Sequence, residues 1–379
     1  MTNAAIPLSV LDLAPVTHGS DAATAVNHSI ALARHAESLG YKRFWLAEHH
    51  FVAVASSSTT TLIALVAAAT RRIRVGSAAV QIGLHTPSSV VEAFGTIDAV
   101  YPGRLDLGLG RSAQRRADFV ASPPASPPAA VTRANAADQV VDGLLIPAPF
   151  PVESLYGSPR LAASFDATLF DGAQPPDFAD AVDDVLSLLA GTFSARDVVL
   201  RAVPGAGADV QVWLFGSSKG QSAQVAGARG LPFVANYHVS PATVVEAVEA
   251  YRAAFVPSTT LAEPYVVVSA DVVVAPDDAT ARHRASSTYG HWVHSIRSGA
   301  GAVEYPDPAT TAPLTDEQLA VVGDRVRTQF VGAPDTVVDG LSTLARVTGA
   351  DELVVTSVTH DFDHRLESHE LLAREWGLR

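Results

Sequence analysis

The chain has 379 residues, 48% hydrophobic and 17% charged, which supplies a large core and excludes a disordered or fibrous polymer. Its 26 basic and 39 acidic residues leave a net charge of −13, which disfavours nucleic acid and anionic membrane surfaces as partners. With no cysteine there are no disulfides, thiolate nucleophiles, Cys-ligated zinc or iron–sulfur clusters, so any chemistry falls to His, carboxylates, hydroxyls or an organic cofactor.

The segment Met1 to Val10 lacks a charged leader region, and the longest clean apolar run, Leu62 to Ala69, is too short to cross a bilayer. A soluble, cytoplasmic protein is expected. Ile6 to Leu13 reads as a strand and Ala22 to Leu39 as a helix, with Ala25, Ile30, Ala33, Ala36 and Leu39 at helical spacing and Gly40 as its left-handed stop. The rhythm repeats in strand Arg43 to Ala47 with helix Thr59 to Ala69, strand Ile73 to Ile82 with helix Ser88 to Val100, and strand Arg104 to Leu109. After an excursion come Val210 to Phe215 with helix Ser222 to Arg229, Pro232 to Ala235 with helix Ala242 to Phe255, Tyr265 to Val274 with a helix from Asp278, and Glu352 to Val358 with Asp363 to Trp376. Eight strand-plus-helix units in alternation predict an α/β fold, a single closed (β/α)8 TIM barrel over residues 1–379. Lid-like insertions are expected at about 112–176, after strand four, where 145–176 are rich in Pro, Gly and Ser, and at 299–315, between strands seven and eight, where Pro306, Pro308 and Pro313 interrupt any periodicity. The stretch 120–132 is too proline-rich for a helix. Both insertions follow strand C-termini, where such barrels place their active sites.

Candidate chemistry clusters at those strand ends. Ala47-Glu48-His49-His50-Phe51 closes the second strand, and adjacent histidines there point in different directions, so a chelating pair is disfavoured. Glu48 is placed to orient a neighbouring imidazole or a backbone amide. The small residues of Val75-Gly-Ser-Ala-Ala79 would either clear room for a flat ligand or pack a barrel layer. Arg111, behind Gly110, suits an anionic group, and Gly216-Ser217-Ser218-Lys219-Gly220 before a helix at Ser222 is either a phosphate cradle or an ordinary helix cap. His238 follows strand six and could line the cavity. His291 and His294 sit at helical spacing without an evident carboxylate, so no metal site is assigned, and His360, His364 and His369 read as a solvated face.

The ordered series Ala-Glu-His-His-Phe51, Val-Gly-Ser-Ala-Ala-Val80, His85-Thr-Pro, Glu92-Ala-Phe and Tyr101-Pro-Gly-Arg-Leu-Asp-Leu-Gly-Leu-Gly-Arg111 resembles the bacterial luciferase-like flavin monooxygenases. The likeness continues through Gly-Ser-Ser218, Ala228-Arg-Gly-Leu-Pro232, Gly290-His-Trp292, Val331-Gly-Ala-Pro334 and the last strand. It implies reduced FMN at the barrel mouth, dioxygen and a small organic substrate of the aldehyde, ketone or heterocycle class, a separate flavin reductase, and a homodimer. It further implies a non-prolyl cis peptide at Ala78-Ala79 under the flavin ring, Arg111 with Ser217, Ser218 and Ser222 on the phosphate, His49 as acid/base, and Glu92 as a pocket carboxylate. Two departures stand out: Gly110 replaces the reactive cysteine of luciferases, and Lys219 lengthens the serine turn by one residue. The lid around 112–176 follows no family pattern, so substrate identity is unassigned. Competing readings are a flavin-binding barrel without turnover, a deazaflavin-dependent oxidoreductase, and a metal-assisted hydrolase.

Overall fold

The structure, a computed structural model, describes residues 6–121, 137–151, 155 and 157–378. Its first half contains β1 (Leu8–Asp12), α1 (Ala22–Leu39), β2 (Arg43–Leu46), α2 (Thr59–Ala69), β3 (Arg74–Ser77), α3 (Pro87–Asp98), β4 (Leu105–Gly110), α4 (Ser112–Ala121), α5 (Pro159–Thr168) and α6 (Phe178–Ala190). The second contains β5 (Val210–Gly216), α7 (Gln221–Ala228), β6 (Phe233–Asn236), α8 (Val244–Ala254), β7 (Val266–Val274), α9 (Asp278–Arg297), α10 (Asp316–Thr328), α11 (Pro334–Thr348), β8 (Glu352–Thr356) and α12 (Phe362–Trp376). Each of the eight strands pairs in parallel with the next, and β8 returns to β1 through Leu8 opposite Leu353, so the barrel closes. This is the expected (β/α)8 architecture.

Local sequence explains the units. Helix α1 starts where the Asp21 side chain accepts the Thr24 N–H and stops at Gly40, whose φ of 86° lets its N–H reach back to the Ala36 and Glu37 carbonyls. Strand residues alternate between two apolar environments. Leu8, Val10, Phe44, Leu46, Val75, Leu105 and Leu107 face the helices, while Leu11, Trp45, Trp213, Val234, Val267 and Val354 fill the barrel interior. Below them, at the N-terminal ends of the strands, lies a buried ionic floor. Arg43 donates to Glu352 at 3.1 Å and to Asp106 at 2.8 Å, Arg74 donates to Asp106 at 2.8 Å, and Tyr265 donates to Glu352 at 2.9 Å. Pairing of this kind is what makes buried charge tolerable.

Three expectations are corrected. The third strand is not continuous over Ile73 to Ile82: β3 ends at Ser77, the Ala78-Ala79 peptide is cis, and Val80–Gln81 resumes pairing opposite Leu109 and Gly110. At the break the Ser77 hydroxyl replaces the ladder, donating to the Gly108 carbonyl at 2.9 Å and accepting the Gly108 N–H at 3.0 Å. The excursion after β4 also contains a missed barrel helix, α6, which buries Phe178, Ala181, Val182, Val185 and Leu188. His369 is not on a solvated face: it is fully buried on the inner stripe of α12 with Ser368, Leu372 and Trp376. A short antiparallel hairpin (Gln139–Val141 with Leu144–Ile146) and α5 occupy the described part of the first insertion, and 299–315 run without a helix. The proline-rich stretch from 122 lies outside the described residues. No helix among the described residues is long and apolar enough to cross a membrane.

Candidate active site

The C-terminal strand ends converge on one mouth, where Glu48 gathers several hydrogen bonds. This carboxylate is 4% exposed. Its Oε1 accepts from His50 Nε2 and from His85 Nε2, each at 2.8 Å, and its Oε2 accepts the Gln81 N–H at 2.9 Å. Gln81 answers by donating its Nε2 to the Glu48 carbonyl at 3.0 Å. Burial alone would raise the Glu48 carboxyl, but bonds from His50, His85 and Gln81 and the His85 charge overturn that and pull it to about 2. The same bond to Glu48 raises His85 above its ordinary 6.5, against the effect of its own burial. Glu48 thus accepts from two imidazoles and one main-chain amide at once. Its partners at Gln81 and His85 lie beyond sequence adjacency, and only the His85 run hinted at them.

His49 is left free of this clasp. Its ring is exposed to the mouth and makes no hydrogen bond among the described residues. The surrounding wall still withdraws enough water to lower its pKa, an effect larger than the opposing Glu48 charge. The two adjacent histidines have different surroundings: His50 bonds Glu48, while His49 stays exposed. Across the mouth, His238 Nδ1 meets Ser269 Oγ at 2.5 Å, and burial, with help from the Arg325 and His49 charges, pushes it down to about 3. Beside it Tyr289 donates to Asp271 and accepts from Arg325 Nη2 at 2.7 Å. This triad had no sequence signal, because its members come from β7, α9 and α10.

The predicted small-residue floor and anion cradle are adjacent. A Cβ on Gly110 would meet Ala79 Cβ at 3.3 Å, so the two adjoin as a shelf of small residues beside the Ala78-Ala79 bond. A Cβ on Gly220 would meet Ser218 Oγ at 3.2 Å and Arg111 Nη1 at 4.0 Å, which brings the arginine that follows β4 near the serine turn that follows β5. Helix α7 begins immediately after Gly220 with no side-chain cap, and Ser222 is buried in its first turn. Gly216 has no room for a side chain, since Phe233 and Ser222 close on its Cα. Ser217 is turned to the neighbouring wall, accepting from Asn236 Nδ2 at 3.2 Å, so Ser218 is the hydroxyl beside Arg111. Two carboxylates were not anticipated here. Asp118 accepts from Arg111 Nη2 at 2.7 Å, and Asp177 accepts from Gln221 Nε2 at 2.9 Å. Glu92 is not brought to this group: it lies on the exposed face of α3, and its carboxylate makes no bond among the described residues. His291 bonds the Ala312 carbonyl at 2.9 Å, and no cluster of three or more ligating side chains suited to a metal occurs among the described residues.

A closed parallel barrel that brings an imidazole, small residues and an arginine beside a serine turn to its C-terminal mouth has the arrangement of a small-molecule enzyme. The chain belongs to the luciferase-like monooxygenase family, whose model matches residues 6–133 and 176–352. It is 34% identical over 374 residues to a luciferase-like monooxygenase of Escherichia coli (strain K12), covering 98% of this chain and 97% of that protein. The crystal structure of apo-MsnO8 is similar at 30% identity with a TM-score of 0.74, covering 99% of both chains. The oxygenating constituent of 3,6-diketocamphane monooxygenase from Pseudomonas putida, solved in complex with FMN, shares the fold at 18% identity and a TM-score of 0.63, covering 98% of this chain and 97% of its own.

Proposed function

We propose that this monooxygenase uses reduced FMN, delivered by a separate flavin reductase, with dioxygen to oxidise a small organic substrate beneath the segments that follow β4. The observation that carries the cofactor is the meeting of Arg111 with the Ser218–Gly220 turn beside the Ala79 and Gly110 shelf. The donor set fits a phosphate-bearing flavin: a guanidinium, a hydroxyl and the uncapped start of α7 suit a phosphate, and side-chain-poor backbone suits a planar ring.

When bound, reduced FMN supplies the electrons and the oxygen-activating chemistry. Arg111, Ser218 and the first N–H groups of α7 bind and orient the phosphate. Ala78, Ala79 and Gly110 keep the shelf clear. His49 holds or takes a proton at its imidazole; its lowered pKa keeps the ring neutral near pH 7 and ready to act as a base. Glu48 fixes the turn from which His49 projects, and His238 contributes a neutral, hydrogen-bonded wall. A homodimer is proposed on the family expectation alone, to be read by sedimentation.

The test is anaerobic titration with reduced FMN, followed by oxygen and a panel of aldehydes, ketones and aromatic heterocycles. Saturable binding and substrate-dependent oxygen uptake are expected. Binding without any substrate-coupled uptake would instead support a non-catalytic flavin barrel, and preference for a deazaflavin would move the chain to hydride-transfer chemistry.

A further inference from the structure

The cradle carries more negative charge than an anion site needs, and the arrangement is specific. Arg111 stands at the foot of α4, and Asp118 lies seven residues on, two helical turns along, so both project on one face. The guanidinium spans the gap between them: Nη2 donates to Asp118 at 2.7 Å while Nη1 looks toward Gly220. Asp177 stands close enough to feel the same cation and is pinned by the Ala179 and Asp180 N–H groups and by Gln221. Lys219 does not restore the balance, since it is mostly exposed and sits 3.7 Å from Glu246. Among the described residues, this guanidinium thus faces two carboxylates. Of the two, Asp177 is fixed by its helix-capping bonds, whereas the Asp118 side chain is 67% exposed and can swing into water at little cost.

We infer that Asp118 is an internal competitor for the flavin phosphate: it holds Arg111 when the cradle is empty of cofactor and is displaced when the phosphate arrives. This rests on the FMN reading above and deepens it. A resident anion of this kind lowers cofactor affinity by the free energy of the pair it forms, and it keeps the guanidinium oriented between turnovers. Both effects suit a flavin that arrives as a co-substrate and must leave again. Removing the competitor therefore tightens binding of a phosphorylated flavin and does nothing for one without phosphate.

The experiment compares equilibrium binding of FMN and riboflavin, read by flavin fluorescence quenching, for the wild type, D118N, D118A and R111A. D118N and D118A are expected to bind FMN about two- to fivefold tighter, the range an exposed ion pair converts to, with riboflavin unchanged. R111A is expected to bind FMN no better than riboflavin. If the wild type prefers FMN to riboflavin but both Asp118 variants leave FMN affinity unchanged or weaker, the competitor role is wrong and the cradle stands. If the wild type shows no preference for FMN, or binds neither flavin, the cradle reading fails and this inference fails with it.

Discussion

Glu48 and Gln81 grip each other at both ends: the carboxylate accepts the Gln81 main-chain N–H at 2.9 Å, and the Gln81 amide donates to the Glu48 carbonyl at 3.0 Å. The turn that presents His49 is thereby tied to the residues following the Ala78-Ala79 bond. Buried hydrogen bonds to a charged group are worth about 1.5–3 kcal/mol each, so Glu48→Gln should destabilise the fold by about that amount. It should also lower the His85 titration midpoint seen by NMR of its ring proton, because the bond to Glu48 is the main cause of its rise. An unmoved His85 midpoint would refute the clasp.

The same carboxylate sets an acid limit. Its folded pKa of about 2 lies below the ordinary 4.5, so its contribution is complete above pH 4.5 and is lost as pH falls toward 2. Urea unfolding between pH 5 and 2.5 should show a steeper loss for the wild type than for Glu48→Gln, and parallel curves would contradict it.

His49→Ala should keep flavin affinity within about twofold, because the ring is outside the proposed phosphate cradle. Product formation should fall by about 100- to 10,000-fold, the usual span for an acid/base group. The wild-type rate should drop on the acid side of pH 6.5, as the imidazole charges, and that limb should vanish in the variant. Equal turnover in both proteins would remove His49 from the mechanism.

Two glycines of β4 should respond oppositely. A Cβ at Gly108 would lie 2.1 Å from the Ser77 carbonyl oxygen, so Gly108→Ala should cost about 3 kcal/mol or more and lower the melting temperature sharply. At Gly110 the nearest atom is Ala79 Cβ at 3.3 Å, so Gly110→Ala should fold and weaken flavin binding, whereas Gly110→Phe should abolish it. Unchanged flavin affinity in Gly110→Phe would show that the shelf holds something else.

His369 offers a control remote from the mouth. Both ring nitrogens are buried without a partner among the described residues, and burial, then the Arg365 charge, pushes its pKa from 6.5 to about 3. The unfolded chain therefore binds the extra proton first, and this site loses stability as pH falls from 6.5 toward 3. His369→Leu should remove that part of the acid sensitivity, detectable as a flatter stability profile in that window. A profile as steep as the wild type's would show that the ring is not held neutral.

The barrel was readable because most of its strands and seven of its helices declare themselves through local periodicity, as in Ala25, Ala33 and Ala36 along α1. Helix α6 escaped because the proline-rich insertion separates it from the strand it follows. The burial of His369 escaped for a different reason: it occupies the apolar stripe of α12 through Leu372 and Trp376, but its acidic neighbours mimic a wet face. At the site, individual candidates were visible, whereas their partnerships were not. Glu48 with His85 spans 37 positions and the Arg111 approach to Gly220 bridges two strands, so only the closed barrel brings them together.

The ionic floor formed by Arg43, Asp106 and Glu352 turns the barrel into a stoppered vessel. Charge is locked across its base, and Trp45 stacks edge-on against Trp213 just above, 5.2 Å between ring centres, so the described residues plug the barrel from beneath. Under the proposed function, cofactor, oxygen and product would all pass the C-terminal mouth, and the order in which they do so would become part of the catalytic cycle.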